Sequence, residues 1–210
     1  MFECDTQKYD CNNVCCKTET AGIMISLADI RRMSAYTKKR TDEFFLEQCF
    51  VCMYDETGHR PFVDIRLRAD PCCTYLNTDG CMVHAVKPTT CLAAPFSITY
   101  LNPVVTDTVV WLPCMKKYRS CDRDSRLAHL LGDLGIEENN QTQTLLFGDK
   151  NVMNSLSELN PPKDMRINVK NEAVIVAVAS RLQHLDSRSF RNYFRELNNR
   201  YSSIRREYSI

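Results

Sequence analysis

The sequence predicts an α+β protein: a mostly helical small domain with few short strands, a cysteine-rich loop core binding metal, and a helical C-terminal part. Three observations carry that expectation. Apolar residues recur at helical spacing near the front and in the last third, as in Leu27, Ile30 and Met33 or Leu127, Leu130, Leu131 and Leu134. Strand-like patterning is confined to the alternating stretch Phe62–Arg68 and the β-branched stretch Val104–Leu112. Of twelve cysteines, four fall between Cys72 and Phe96, around an Asn77-Thr78-Asp79-Gly80 turn and a Lys87-Pro88 step. Residues 1–122 are expected to form a cysteine-cluster metal-binding region and residues 123–210 a helical region packed on it, together one compact domain.

The N-terminal stretch is polar and loop-like. Cys4, Cys11, Cys15 and Cys16 sit among the turn-tolerant Asp10, Asn12 and Asn13, which let the backbone curl and turn sulfur inward. Adjacent Cys15 and Cys16 point in different directions. Such a pair suits a polynuclear cluster, or one ligand beside one packed thiol, better than a single zinc ion. Ser26-Leu27-Ala28-Asp29 then marks a helix start, with a hydroxyl N-cap and an acid three residues on. Leu27, Ile30, Met33 and Tyr36 share one face of that helix, and Lys38, Lys39 and Arg40 suit its C-terminal end. Thr41 is expected to cap a second helix carrying Phe44, Phe45, Gln48, Cys49 and Cys52. Cys49 and Cys52 form a C-x2-C pair with no second pair to match it, which is a weak zinc signal; the aromatic neighbours favour buried packing.

Gly58 to Pro61 makes a turn, and the strand Phe62–Arg68 leads into Pro71-Cys72-Cys73. Residues 72–96 lack alternation and read as irregular loop with at most a short strand or helical turn. Val104–Leu112 is a strand ending at Pro113. Cys114 and Cys121 bracket a basic segment, and their spacing leaves open whether they are outlying ligands or ordinary thiols. Arg123 to Leu134 is a helix stopped by Gly135, and the polar Glu137–Thr144 is expected to be loop. Val152–Leu159 is a short amphipathic helix before Pro161-Pro162, and Asn171 opens an apolar helix, Ala173–Leu185. Asp186 or Ser187 caps the last helix, which turns Phe190, Tyr193, Phe194 and Leu197 to the core. Its outer side carries Arg188, Arg191, Arg195, Arg200, Arg205 and Arg206, either a solvated basic face or a docking surface for an acidic partner.

A formal charge of +1 with 25% charged residues gives no global field toward nucleic acid or membrane. No basic run with an apolar stretch follows Met1, and the aliphatic run Ala173–Ala179 is too short to span a bilayer, so a cytoplasmic location is expected. In that reducing setting, twelve cysteines point to metal ligation rather than disulfides, with about a third serving as small buried hydrophobes. Loops suit thiolates because irregular backbone can aim N–H groups at sulfur, and metal binding compensates for ordering a loop with little apolar content. The N-terminal cysteines and the group from Cys73 to Cys91 are therefore expected to meet and ligate one centre or two neighbouring ones.

These residues also carry a resemblance. Lys8-Tyr9-Asp10-Cys11 with Cys15-Cys16, Ile25 to Ile30, Cys73-x2-Leu76, Asp79-Gly80-Cys81, Lys87-Pro88-x2-Cys91 and Pro95-Phe96 follow in the order and spacing of the YkgJ-type cysteine-cluster family. That family is described as zinc- or iron-chelating, and the similarity covers roughly residues 8–96. The chain departs from it in having Met82-Val83-His84 for Ser-Ile-Tyr, Lys87 for Arg, and Leu92 after the last cysteine. The family's opening C-x2-C-x2-C-C is also altered: here six residues separate Cys4 from Cys11 and three separate Cys11 from Cys15. The resemblance implies a ligand set drawn from Cys11, Cys15, Cys16, Cys73, Cys81 and Cys91, with Cys4 or Cys72 as alternatives for the displaced opening ligand.

Six to eight clustered thiols are better used by a [4Fe–4S] cluster, alone or with a second metal, than by one structural zinc, which needs four. His84 fits a hydrogen-bond partner of a ligand better than a ligand. The expected function is that of an iron–sulfur accessory or redox-responsive protein docking on a larger protein partner, with the basic C-terminal helix as the candidate surface. No G-x-S-x-G, Walker loop, dinucleotide glycine fingerprint or H-E-x-x-H occurs. The alternatives are a structural zinc adaptor and a metal-dependent methyltransferase, since flagellin lysine N-methylases resemble the family in their cysteine motif.

Overall fold

The computed structural model describes residues 16, 22–54, 62–69, 72–94, 96–98, 109–111, 125–157, 159, 167–185 and 187–210. Within these, the chain is α+β and mostly helical, with a small sheet of short strands.

Ser26 starts the first helix, α1 (Leu27–Tyr36), with a complete capping box. Its hydroxyl accepts from the Asp29 amide at 3.0 Å, and the Asp29 carboxylate accepts from the Ser26 amide at 2.9 Å. Leu27, Ile30 and Met33 are buried as expected, but Tyr36 is 51% exposed. The helix ends at Thr37, and Lys38 takes a positive φ of 57° just beyond it, so the cations follow the helix rather than occupy its last turn. Helix α2 (Thr41–Gln48) has Arg40, not Thr41, at its N-cap; the Thr41 hydroxyl reaches across to the Leu182 carbonyl instead.

The second helix stops where Cys49 begins strand β2 (Cys49–Tyr54), so the expectation of a helix running through Cys49 and Cys52 is corrected. The reason is local: Phe50-Val51 opens a β-branched and aromatic run that pairs with β3 (Phe62–Leu67), Cys49 opposite Leu67 through Tyr54 opposite Phe62. Strand β1 (Ile23–Ile25) pairs with the other edge of β3, and β8 (Ile167–Val169) with the other edge of β2, giving an antiparallel sheet in the order β1-β3-β2-β8. Gly22 enters this sheet with φ +63°, and a Cβ there would lie 2.6 Å from the Leu67 carbonyl oxygen and 2.8 Å from the Phe50 ring.

The stretch read as irregular loop contains more short structure than expected: β4 (Leu76–Asn77) and β5 (Gly80–Cys81) form a hairpin, followed by a 3-10 turn (His84–Val86) and α3 (Thr89–Ala93). Strands β6 (Phe96–Ile98) and β7 (Val109–Trp111) pair with each other. The turn expected at Gly58–Pro61 and the segment holding Cys114 and Cys121 lie outside the described residues.

The largest departure is α4 (Ser125–Phe147), a single helix of 23 residues through Gly132, Gly135 and the segment expected to be loop. Leu127, Leu131, Leu134, Glu138, Thr142 and Leu146 form one buried stripe along it. Helix α5 (Lys150–Ser157) follows, and Asn171 caps α6 (Glu172–Leu185) by accepting from the Val174 amide at 3.2 Å. The last helix, α7 (Arg188–Tyr208), has Ser187 at its N-cap and buries Phe194, Leu197, Tyr201 and Ile204. One buried apolar cluster takes residues from α1, α2, the four-stranded sheet, α3, α4, α5, α6 and α7. Among the described residues, no helix is long and apolar enough to cross a membrane.

Candidate functional site

The central cysteines are held by short-range backbone devices. The Asn77 side chain accepts from the Asp79 amide at 2.9 Å and Gly80 takes φ +115°, closing the expected turn and leaving Cys81 opposite Leu76. The Leu76 amide donates to the Cys73 carbonyl at 2.9 Å, and Cys73 itself bridges to Ala69 at the end of β3. The Cys73 amide donates to the Cys16 carbonyl at 2.7 Å. Cys73 lies within the apolar cluster, and Cys16 and Cys81 are half-buried against it.

Cys91 lies on α3 and is half-buried. That short helix is fixed to the sheet by the Thr90 hydroxyl, which donates to the Met24 carbonyl of β1 at 2.9 Å. Cys72 precedes Cys73 and is half-buried. Cys4, Cys11 and Cys15 lie outside the described residues. Among the described residues, no three His, Cys, Asp or Glu side chains gather closely enough to hold a metal ion. The described thiols by themselves therefore do not make up a ligand set.

Cys49 and Cys52 are both buried, the packing role expected for them. On a strand their three-residue offset sends them to opposite faces, so this C-x2-C pair cannot converge on one ion. Burial pushes the Cys49 thiol well above its ordinary range, the nearby Arg68 charge only partly opposing it. Tyr75 stacks on Phe44 at 6.4 Å between ring centroids. Burial pushes its phenol up to about 12, with Cys49 and Cys73 adding to the shift. The His84 ring is exposed, its Nε2 3.4 Å from Lys87 Nζ.

A second polar assembly, unforeseen in the sequence, lies where α1, α3 and α4 meet. Arg32 is buried, with its guanidinium bonded to Asp29 and to both oxygens of Glu138, at 2.5 Å to Oε1 and 3.2 Å to Oε2. Thr89 donates its amide to Asp29 at 3.0 Å and its hydroxyl to Glu138 at 2.9 Å; the Ser26 hydroxyl donates to Glu138 at 3.2 Å. The Tyr201 ring from α7 lies 4.0 Å from the Arg32 guanidinium carbon. One cation thus faces two carboxylates. Burial disfavours the charge on Arg32, but the two acids outweigh it and hold the guanidinium protonated beyond its ordinary range. Burial, then the charge of Asp29, raises the Glu138 carboxyl against the pull of Arg32. Both directions follow from one guanidinium facing two carboxylates.

Comparison with family models, with curated proteins and with solved structures finds no match to the chain.

The signal for the buried assembly was present but read the other way. Glu138 falls four residues after Leu134 and Thr142 four after Glu138, so they continue the buried stripe of α4 in register. Polar residues at core-facing positions look like the end of an amphipathic helix unless their partner is known, and that partner, Arg32, lies 106 residues away.

Proposed function

We propose that this chain is a thiolate metalloprotein, with a [4Fe–4S] cluster as the favoured centre, that acts as an accessory or redox-responsive subunit in a reducing compartment such as the cytoplasm. The observation that carries the reading is the hydrogen bond from the Cys73 amide to the Cys16 carbonyl, which ties the terminal cysteine stretch to the central one. The ligands would come from Cys11, Cys15, Cys16, Cys73, Cys81 and Cys91, with Cys4 or Cys72 completing the set. When bound, the cluster would supply one-electron chemistry or redox sensing, and the protein would hold it, tune it and present it to a partner. Kinship with the YkgJ-type family is part of this proposal, resting on the cysteine order and on the Asp79-Gly80-Cys81 turn, whose Asx geometry and glycine conformation are formed.

The test is elemental and sulfide analysis of the full chain purified without oxygen. Iron with acid-labile sulfide and broad absorbance near about 400 nm is expected, and Cys73→Ser or Cys81→Ser should lower the cluster content. Zinc near stoichiometry without sulfide would instead favour the structural adaptor. Protein free of both metals would end the reading.

A further inference from the structure

We propose that a groove between α1, the 3-10 turn at His84–Val86 and α7 binds an extended acidic peptide segment of a partner protein. The inference deepens the docking half of the function proposed above and does not depend on which metal, if any, the cysteines hold. The groove encloses about 550 Å³. Ala35 and Val86 give it apolar lining, and the exposed Tyr36 ring stands on its α1 side.

Three features define the occupant. Among the described residues, the groove's lining carries arginines and no carboxylate. Arg205 bonds the His84 carbonyl at 3.0 Å and Arg206 its own helix at Ser202 O at 3.3 Å, and among the described residues neither is ion-paired to an acid. Arg32 also lines the groove, but the buried Asp29 and Glu138 compensate its charge, so the groove's positive charge comes from Arg205 and Arg206.

The second feature is a ladder. Asn198, Ser202 and Arg206 all line the groove and follow one another at four-residue intervals on α7. Four helical residues rise about 6 Å, close to the roughly 6.6 Å spanned by two residues of an extended chain. Alternate residues of a peptide lying along α7 therefore meet the amide, the hydroxyl and the guanidinium in turn, with an acidic side chain on the last rung. The intervening side chains face the apolar wall and Tyr36, which calls for an aliphatic or aromatic residue there.

The third feature argues against a small free anion. The Arg205 and Arg206 guanidiniums are each anchored to a different backbone carbonyl, so they line an open trough rather than a convergent fork. The turn that forms one wall starts three residues after Cys81 in the chain.

The experiment is selection of displayed random dodecapeptides on the full-length protein, followed by fluorescence anisotropy of the winners. Enrichment of Asp- and Glu-bearing peptides with apolar residues at alternate positions is expected. Their affinity should fall about ten-fold or more in Arg206→Glu, and with rising salt. Asn198→Ala combined with Ser202→Ala should weaken the same peptides while leaving their salt dependence intact. Circular dichroism melts verify that each variant is folded, and Arg206→Gln replaces Arg206→Glu if the latter is not. No enrichment, enrichment of neutral or basic sequences, or affinity unchanged by the Arg206 substitution would overturn the proposal. So would oligo-deoxythymidine or phosphatidylserine vesicles binding more tightly than the peptides and losing that binding in the same variant. Because metal content is measured separately, loss of peptide binding and loss of the metal reading are distinguishable.

Discussion

Replacing Arg32 by methionine tests the buried charge assembly directly. The substitution keeps an unbranched side chain beneath the Tyr201 ring but removes the cation facing Asp29 and Glu138. Breaking a buried ion pair from one side costs about 3–5 kcal/mol, because the remaining charge is left uncompensated. Loss of the guanidinium over the Tyr201 ring, at 4.0 Å, adds about 1 kcal/mol. Against a typical domain stability of about 5–15 kcal/mol, Arg32→Met should come close to unfolding the protein. Glu138→Gln is the contrasting change. It removes the surplus negative charge, keeps an acceptor for Arg32, and leaves the Ser26 and Thr89 hydroxyls free to rotate and accept from the new amide. Its cost at neutral pH should be below about 1 kcal/mol. Urea denaturation of both single variants and of the double variant measures these values and their coupling. If Arg32→Met costs less than about 1 kcal/mol, or Glu138→Gln costs as much as Arg32→Met, the account of one cation shared between two acids is wrong.

The same assembly fixes a pH dependence. The folded-state pKa of Glu138 is raised, so the folded protein binds the extra proton and loses stability as pH rises from the ordinary carboxylate range to that raised value; Glu138→Gln should flatten this limb of a stability-against-pH curve. Gly22→Ala should destabilise by more than about 2 kcal/mol, since it combines a left-handed φ with a clash on a backbone oxygen, whereas Gly80→Ala meets no atom within 4 Å and carries the conformational cost alone. Thermal melts of the two variants give the comparison. In the metal-free protein, Cys49 should resist alkylation until unfolding, while the half-buried Cys72 and Cys81 react before it; mass spectrometry of peptides from timed iodoacetamide reactions reads this order. Tyr201→Phe removes the phenol that donates to the Lys87 carbonyl at 2.7 Å and should cost about 1–2 kcal/mol by urea denaturation.

Elements set by neighbouring residues were legible. The Ser26–Asp29 box, the Asn77–Gly80 turn, the Asn171 cap and the alternation of Phe62–Leu67 each involve groups within a few positions of one another, and each is formed. The sequence also placed Phe194 and Leu197 on the buried side of the last helix, because helical spacing alone sorts apolar from charged residues there. Cys49 and Cys52 were rightly read as buried but on the wrong element. An eight-residue helix followed by six strand residues has the same apolar content as one longer helix, and only pairing with β3 separates them.

What local patterning could not reach was decided by contacts across the chain. Helix α4 continues through Gly135 because its polar stripe has somewhere to go: Glu138 to Arg32 and Ser26, and Thr142 to the Leu27 amide at 2.9 Å. A buried carboxylate without those partners would break the helix pattern or unfold it; with them it becomes the joint between α1, α3 and α4. The bond from Cys73 to Cys16 and the groove beneath Tyr36 are of the same kind. Residue types and short spacings determine which groups are available, such as twelve thiols and a row of arginines. Which of them meet is determined by tertiary packing, because the energy of a buried polar contact depends on the partner the fold brings to it.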